Sequence, residues 1–314
     1  MLSAFSEVLS LIGGAVALGT VAGYLRRLGW LCELASHFRA QYFGILLLST
    51  WVFSLANRPL EAIISAGLAL ANLWLLVPLY IGRDRTTTGQ TFRALLSNVW
   101  YGNRAYGRMQ RLIREVNPDV VVLNEATDEW LTALRTLEAG YHFAKSVTGP
   151  SGFGILVLSR LPVEEAQVLH MGNVGTPSVI VRLRYAERQL TLIATHALAP
   201  AAPRRTRLRN RQLEEIAKYV SGLKEPVMVL GDLNTTSWSP AFRAFIRTSA
   251  LRDSRKGFGL QPSWPVAVPL LRIPIDHCLV SSDIVVHKRW LGPKIGSDHF
   301  PIVIDCSLAS SSGS

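Results

Sequence analysis

Hydrophobic and polar positions divide this chain into two unlike parts near residue 82. Before that point, seven charged side chains (Glu7, Arg26, Arg27, Glu33, Arg39, Arg58 and Glu61) fall between three apolar runs. The runs are about Leu9–Leu25, Tyr42–Ala56 and Ala62–Ile81. A helix needs roughly 20 apolar residues to cross ~30 Å of hydrocarbon. The third run meets that length and the first comes close. The second is short, with Tyr42, Trp51 and Arg58 at or near its ends as interfacial anchors. Such runs leave almost no polar face for water. No basic stretch precedes Leu9 and no convincing cleavage site precedes Arg26, which argues against a cleaved signal peptide. The pattern predicts a retained membrane anchor of about three transmembrane helices over residues 1–85.

From Thr86 the pattern changes to short β-branched runs mixed with amphipathic segments. Predicted strands are Ala94–Trp100, Val120–Asn124, Phe153–Ser159, Val179–Tyr185, Leu190–Thr195, Val227–Leu230, Ile275–Val280 and Ile302–Asp305. Predicted helices are Ala105–Val116, Glu129–Glu138, Arg205–Ser221 and Pro240–Thr248. This reads as one α/β (α+β) domain over residues 86–306, followed by a flexible Ser-rich tail at 307–314. The break near Gly82–Thr86 further predicts that residues 86–314 fold alone.

Composition narrows the picture. With 49% hydrophobic residues among 314, the chain is not disordered. Cys32, Cys278 and Cys306 are far apart, which excludes a disulfide scaffold and suggests no structural zinc. The net charge is +11, and residues 86–314 alone carry 27 Lys+Arg against 18 Asp+Glu. That balance asks for an acidic partner: nucleic acid, anionic lipid or a phosphorylated small molecule. Under three spans, Arg26, Arg27 and Arg39 share a side with Arg83, Arg85 and Arg93, against Arg58 alone opposite. The charge rule then places the large domain of a multi-pass cell-membrane protein in the cytoplasm.

Polar residues collect at the ends of the predicted strands: Ser97-Asn98, Asn124-Glu125, Thr195-His196, Gly231-Asp232-Leu233-Asn234, Asp276-His277 and Ser297-Asp298-His299. Acids, amides and histidines at strand ends can meet on one rim of a sheet. The segments SNVW, VVLNEA, SGFGILVLSR, ATHAL, VLGDLN, PIDHCLVS and GSDHFPI occur in that order between Ser97 and Ile302. Together they resemble the endonuclease/exonuclease/phosphatase superfamily, which includes deoxyribonuclease I-like nucleases, sphingomyelinases and inositol polyphosphate 5-phosphatases. The chain looks like its bacterial membrane-tethered type. The resemblance implies a four-layered sandwich, two packed mixed sheets flanked by helices, with the site at one end.

Phosphoester hydrolysis needs charge neutralisation on the phosphate, an activated in-line water and stabilisation of the leaving oxygen. Oxygen ligands suit Mg²⁺, with Mn²⁺ as the substitute. Glu125, a lone carboxylate closing an apolar strand, is the best metal ligand, with Asn98 assisting at the metal or at a phosphate oxygen. Asp232 and Asn234, two apart, point to the same side of an extended segment. By resemblance, Asp232 orients or deprotonates the water and Asn234 holds a phosphate oxygen. Asp276 and His299 look like the family's Asp–His pair, Asp298 completes the metal environment, and His196 stabilises the transition state or protonates the leaving oxygen. Trp100 stands where many nuclease members carry a second acid or amide, which puts a second metal position in doubt.

Arg204, Arg207 and Arg211 share one helical face, as a candidate phosphate-binding rim. The leading reading is a membrane-anchored, Mg²⁺-dependent phosphoesterase acting on nucleic acid or on a lipid or small-molecule phosphoester. The alternative is a non-catalytic membrane receptor or scaffold, which has no need for this set of acids and histidines. Salt sensitivity separates a nuclease from a lipid phosphodiesterase, which depends on how its surface is presented.

Overall fold

A computed structural model describes residues 2–25, 29–82, 90–135, 137, 140–148 and 152–309. Arg26, Arg27, Arg83 and Arg85, Glu138 and residues 310–314 of the tail lie outside the described residues. The N-terminal part is helical: α1 (Leu2–Tyr24), α2 (Trp30–Ala35), α3 (Arg39–Leu55) and α4 (Pro59–Leu76). The remainder alternates strands and helices. In chain order these are β1 (Phe92–Asn98), α5 (Tyr106–Val116), β2 (Val120–Asn124), α6 (Asp128–Leu134), β3 (His142–Val147), β4 (Ile155–Ser159), β5 (Val163–Leu169) and β6 (Ser178–Tyr185). There follow β7 (Arg188–His196), α7 (Pro203–Ser221), β8 (Val227–Asp232), α8 (Pro240–Ser249), β9 (Arg252–Asp253), β10 (Asp276–Val280), β11 (Ile284–Leu291) and β12 (Ile302–Leu308).

The strands form two six-stranded sheets, ordered β11-β12-β1-β2-β4-β3 and β5-β6-β7-β8-β10-β9. Strand alternation explains the stacking. On β1 and β2, Ala94, Leu96, Val120 and Val122 face the second sheet, while Leu95, Val121 and Leu123 pack with Met109 and Trp130 of α5 and α6. On β7 and β8, Leu192 and Leu230 enter the space between the sheets, while Ile193 and Val229 pack against α7 and α8. The result is helix, sheet, sheet, helix. Both central pairs, β1–β2 and β7–β8, are parallel, so their chain ends emerge at one rim.

Four strands are not visible in the hydrophobic pattern: β3, β5, β11 and the two-residue β9. All lie at sheet edges. Edge strands keep polar side chains toward solvent, as in Val163–Leu169 with Glu164 and Glu165, so their apolar signal is diluted.

Among the described residues, two helical segments, Glu7–Tyr24 and Pro59–Leu79, are long and apolar enough to cross a membrane. Helix α3 has 17 residues. Arg39 ties α1, α3 and α4 at one end, its Nη1 donating to Thr20 O (3.1 Å) and Asn72 Oδ1 (3.0 Å). Arg58 ties the other end, donating to Ser10 Oγ at 2.8 Å and pairing with Glu61.

The helical part and the sandwich are in direct contact. Glu33 of α2 forms a buried ion pair with Arg209 of α7. His37 Nδ1 lies 2.9 Å from Thr236 Oγ1, and Gln41 Nε2 donates to Arg272 O at 2.8 Å. Leu79 O accepts from the backbone of Gly257 and Gly259. Leu76 and Leu79 bury Trp238. Three polar residues between the first two apolar runs, Glu33, His37 and Gln41, dock the helical layer onto the sandwich.

Candidate active site

Strand ends assemble the site. Asn98 and Asn124 are register partners at the ends of β1 and β2, and Glu125 follows. His196 and Asp232 are partners at the ends of β7 and β8, and Asp276 faces Asp232 from β10. The loop before β12 adds Asp298 and His299. Gly231 permits this convergence, since a Cβ there meets Thr195 O at 1.9 Å. Glu125 (φ 60°) and Asn234 (φ 49°) take left-handed backbone conformations, which cost a non-glycine residue ~1 kcal/mol or more and often mark functional positions.

Hydrogen bonds fix the constellation. Asn98 Nδ2 donates to Glu125 Oε1 (2.9 Å) and to Asp232 Oδ2 (3.1 Å). Asn98 Oδ1 accepts from Trp100 N, and Glu125 Oε2 accepts from Tyr101 N. Asp232 Oδ1 accepts from Asn234 N at 2.9 Å. His299 Nδ1 lies 2.8 Å from Asp276 Oδ2, with its Nε2 3.7 Å from Asp232 Oδ2. His196 Nε2 is 3.7 Å from the same oxygen. Trp264 Nε1 donates to Asp298 Oδ2 at 3.0 Å.

Burial splits the two histidines. It lowers His196 to about 4, helped by the charge of His299, so His196 is neutral at pH 7. Burial also opposes the charge on His299, but Asp276, Asp232 and Asp298 outweigh it and raise that imidazole to about 10. Asp276 shows the converse. Burial disfavours its charge, yet the charge and hydrogen bond of His299 hold it below the usual carboxylate range. Burial, then the facing Asp276, pushes Asp232 up to about 8, and burial raises Glu125.

This donor set fits a hard divalent cation. Asp232, Asp276 and His299 offer atoms within 4.8 Å of one another, and Asp276 Oδ1 is buried without a hydrogen-bond partner. His299 is already bonded to Asp276. The acids that burial leaves with a raised pKa are Glu125 and Asp232, and a cation at this rim relieves both. Carboxylate oxygens without thiolate are the donor type of a hard cation rather than of a soft one.

Residues 95–299 match the model of the endonuclease/exonuclease/phosphatase family. The chain belongs to that family. Family membership carries the class of chemistry, hydrolysis of phosphoester bonds. No curated protein sequence matches the chain. Among solved structures, D. rerio TDP2 complexed with single-strand DNA product is 16% identical, with a TM-score of 0.59 over 69% of this chain and 99% of that one. An endonuclease/exonuclease/phosphatase from Bacteroides vulgatus is 16% identical, with a TM-score of 0.59 over 70% and 100%. The human nocturnin catalytic domain with bound sulfate is 16% identical, with a TM-score of 0.57 over 70% and 94%. At these identities the likeness establishes the shared fold.

Within this family frame, the structure gathers Asn98, Glu125, His196, Asp232, Asn234, Asp276, Asp298 and His299 at one rim. It does not bring Arg204, Arg207 and Arg211 there. These three are exposed on α7 and line no part of the cavity over the acids, whereas Arg205 does line it. Arg209, between them, is buried against Glu33 and donates to Asn234 O at 2.5 Å. Three further residues support the site. Asn124 Oδ1 accepts from Asp232 N at 3.0 Å, Trp264 fixes Asp298, and His37 lines the cavity. Asn124 carries a sequence signal in its place directly before Glu125 and Trp264 in its loop position near the motifs, whereas His37 has none.

Proposed function

We propose that this chain is a membrane-anchored, Mg²⁺-dependent phosphoesterase, with Mn²⁺ able to substitute. Residues 1–85 form the anchor and 86–306 the catalytic part, on the cytoplasmic side by the charge rule. The observation that carries this reading is the convergence of Glu125, Asp232 and the Asp276–His299 pair at one rim. The DNA product in D. rerio TDP2 and the sulfate in human nocturnin support a phosphate-shaped ligand here.

Glu125 and Asp298 would hold the metal, with Asn98 orienting Glu125 through its amide. When bound, the metal neutralises phosphate charge and makes its water more acidic. Asp232 orients the attacking water and takes its proton. The water oxygen bonds to phosphorus as the bond from phosphorus to the leaving oxygen breaks, and that oxygen leaves as an alcohol after taking a proton from solvent water, while Asp232 returns the proton it took to solvent. His299, held protonated by Asp276, donates to a phosphate oxygen as charge builds. Neutral His196 and the Asn234 amide steady the same group. Trp264, by fixing Asp298, keeps the carboxylate in place.

The test uses full-length protein in detergent with chromogenic phosphodiesters and phosphomonoesters, with Mg²⁺ or excess chelator. Turnover should require the metal, and Glu125→Gln should lower it by orders of magnitude while the melting temperature changes little. Full activity in chelator would overturn the reading.

A further inference from the structure

Above the acids lies a cavity of about 690 Å³ whose far wall comes from the N-terminal part. Trp30, Leu34, His37 and Phe38 supply that wall, opposite Phe153 and Ile275 of the sandwich. Arg205 is the only lysine or arginine among the described lining residues. A nucleic-acid strand binds through successive phosphates and needs a row of cations. This cavity offers one acid-and-histidine floor for a single phosphate and apolar walls for what is attached to it.

The surroundings match those walls. The wall segment sits between α1 and α3, in a layer that exposes large apolar side chains: Leu18 is 74% and Trp74 78% accessible. On the sandwich, the loop between the lining residues Trp264 and Ile273 carries Leu270, 83% accessible, beside Leu271. Gln41 at the start of α3 bonds to Arg272 of this loop, so apolar loop and helical layer meet. Leu31, next to Trp30, is also exposed. His37 is buried, and its Nε2 has no hydrogen-bond partner although its Nδ1 meets Thr236. Burial, then Arg209 and Arg39, lowers His37 to about 3, so the ring is neutral and can serve an ester or phosphate oxygen.

We propose that the cavity takes a phosphoester bearing a hydrocarbon chain, a lipid entering from the bilayer. Its phosphate rests at the Glu125–Asp232–His299 floor and its chain lies against Trp30, Leu34 and Phe38. The proposal rests on the hydrolytic reading for its chemistry, and on the N-terminal wall for its selectivity.

The experiment compares two esters with the same leaving group, 4-nitrophenyl dodecyl phosphate and 4-nitrophenyl methyl phosphate, using full-length protein in non-ionic micelles. Burying several methylenes predicts a kcat/KM ratio of about a hundredfold in favour of dodecyl. Trp30→Ala and Leu34→Asn should each cut that ratio by about tenfold, and Trp30→Phe should retain it. Micellar partitioning affects wild type and variants alike, so the loss reports the wall. A binding arm, independent of turnover, uses dodecyl phosphate with a terminal diazirine. Label on residues 30–38, competed by dodecyl phosphate but not by methyl phosphate, supports the chain seat. That label without turnover of either ester counts against hydrolysis alone. Turnover with a ratio near one, a ratio unchanged in both variants, faster cleavage of a 4-nitrophenyl oligonucleotide ester, or absence of both label and turnover overturns the proposal.

Discussion

His299 and Asp276 act as one unit, because each holds the other in its charged state. Removing His299 therefore removes the purpose of Asp276. His299→Ala should lower kcat by about 10²–10⁴-fold, and adding Asp276→Asn should lower it little further. Multiplicative losses in the double variant would show that the two act separately. His277 gives a second test, of stability. Its Nδ1 lies 3.2 Å from the Arg255 guanidinium, a donor only, and its Nε2 is 2.7 Å from Thr235 O. The ring must accept at one nitrogen and donate at the other, so it is neutral. Burial, then Arg255, lowers its pKa to about 3. The unfolded chain binds a proton near pH 6.5 and the folded chain does not until about pH 3, so stability falls as pH drops through that window. The linkage amounts to about 2 kcal/mol by pH 5. Melting temperature against pH should show the loss, and His277→Gln should make it shallower, leaving the share that the lowered His37 and His196 contribute in the same window. Residues at strand ends were legible because the apolar run points to its own end. Glu125, Asp232 and His299 were found that way. Glu33, His37 and Arg209 were not, because their partners lie far away in the chain.

At the scale of elements, α2 is one of the connections between the two parts, beside α3 and the end of α4. Glu33 neutralises Arg209, and Arg209 holds the carbonyl of Asn234. His37 reaches Thr236 in the same loop. A six-residue helix thus braces the loop that carries Asp232 and Asn234. Glu33→Gln leaves a buried guanidinium without its counter-charge, which typically costs about 3–5 kcal/mol. Both thermal stability and turnover should fall, and Arg209→Met in the same chain should restore part of the stability. Central strands were readable as runs buried on both faces, whereas the edge strands β3, β5, β9 and β11 needed the sheet order to be recognised. Helix α2 was hidden by its length and by its position between two longer apolar runs.

For the whole molecule, the helical layer and the sandwich form a continuous structure around the cavity. Exposed apolar faces on α1 and α4 predict that full-length protein resists alkaline and high-salt extraction from membranes. Recovery in the soluble fraction without detergent would refute the anchor. A fragment beginning at residue 90 loses the cover over Arg209 and Trp238, so it should melt at lower temperature than the full chain. Equal melting temperatures would show that the docking contacts contribute no stability. The break in composition does not disclose the contacts between the two parts, since those rest on a few charged and aromatic side chains.

The free cysteines give this architecture a built-in reporter. Cys278 and Cys306 are fully buried within the sandwich, and burial pushes the Cys278 thiol up to about 12. Cys32 is partly accessible and lies on α2, two residues from Trp30. A maleimide fluorophore should therefore attach to Cys32 alone while the chain is folded, and to all three thiols after denaturation. The same natural handle makes the junction between the helical layer and the sandwich observable by spectroscopy, without an introduced cysteine.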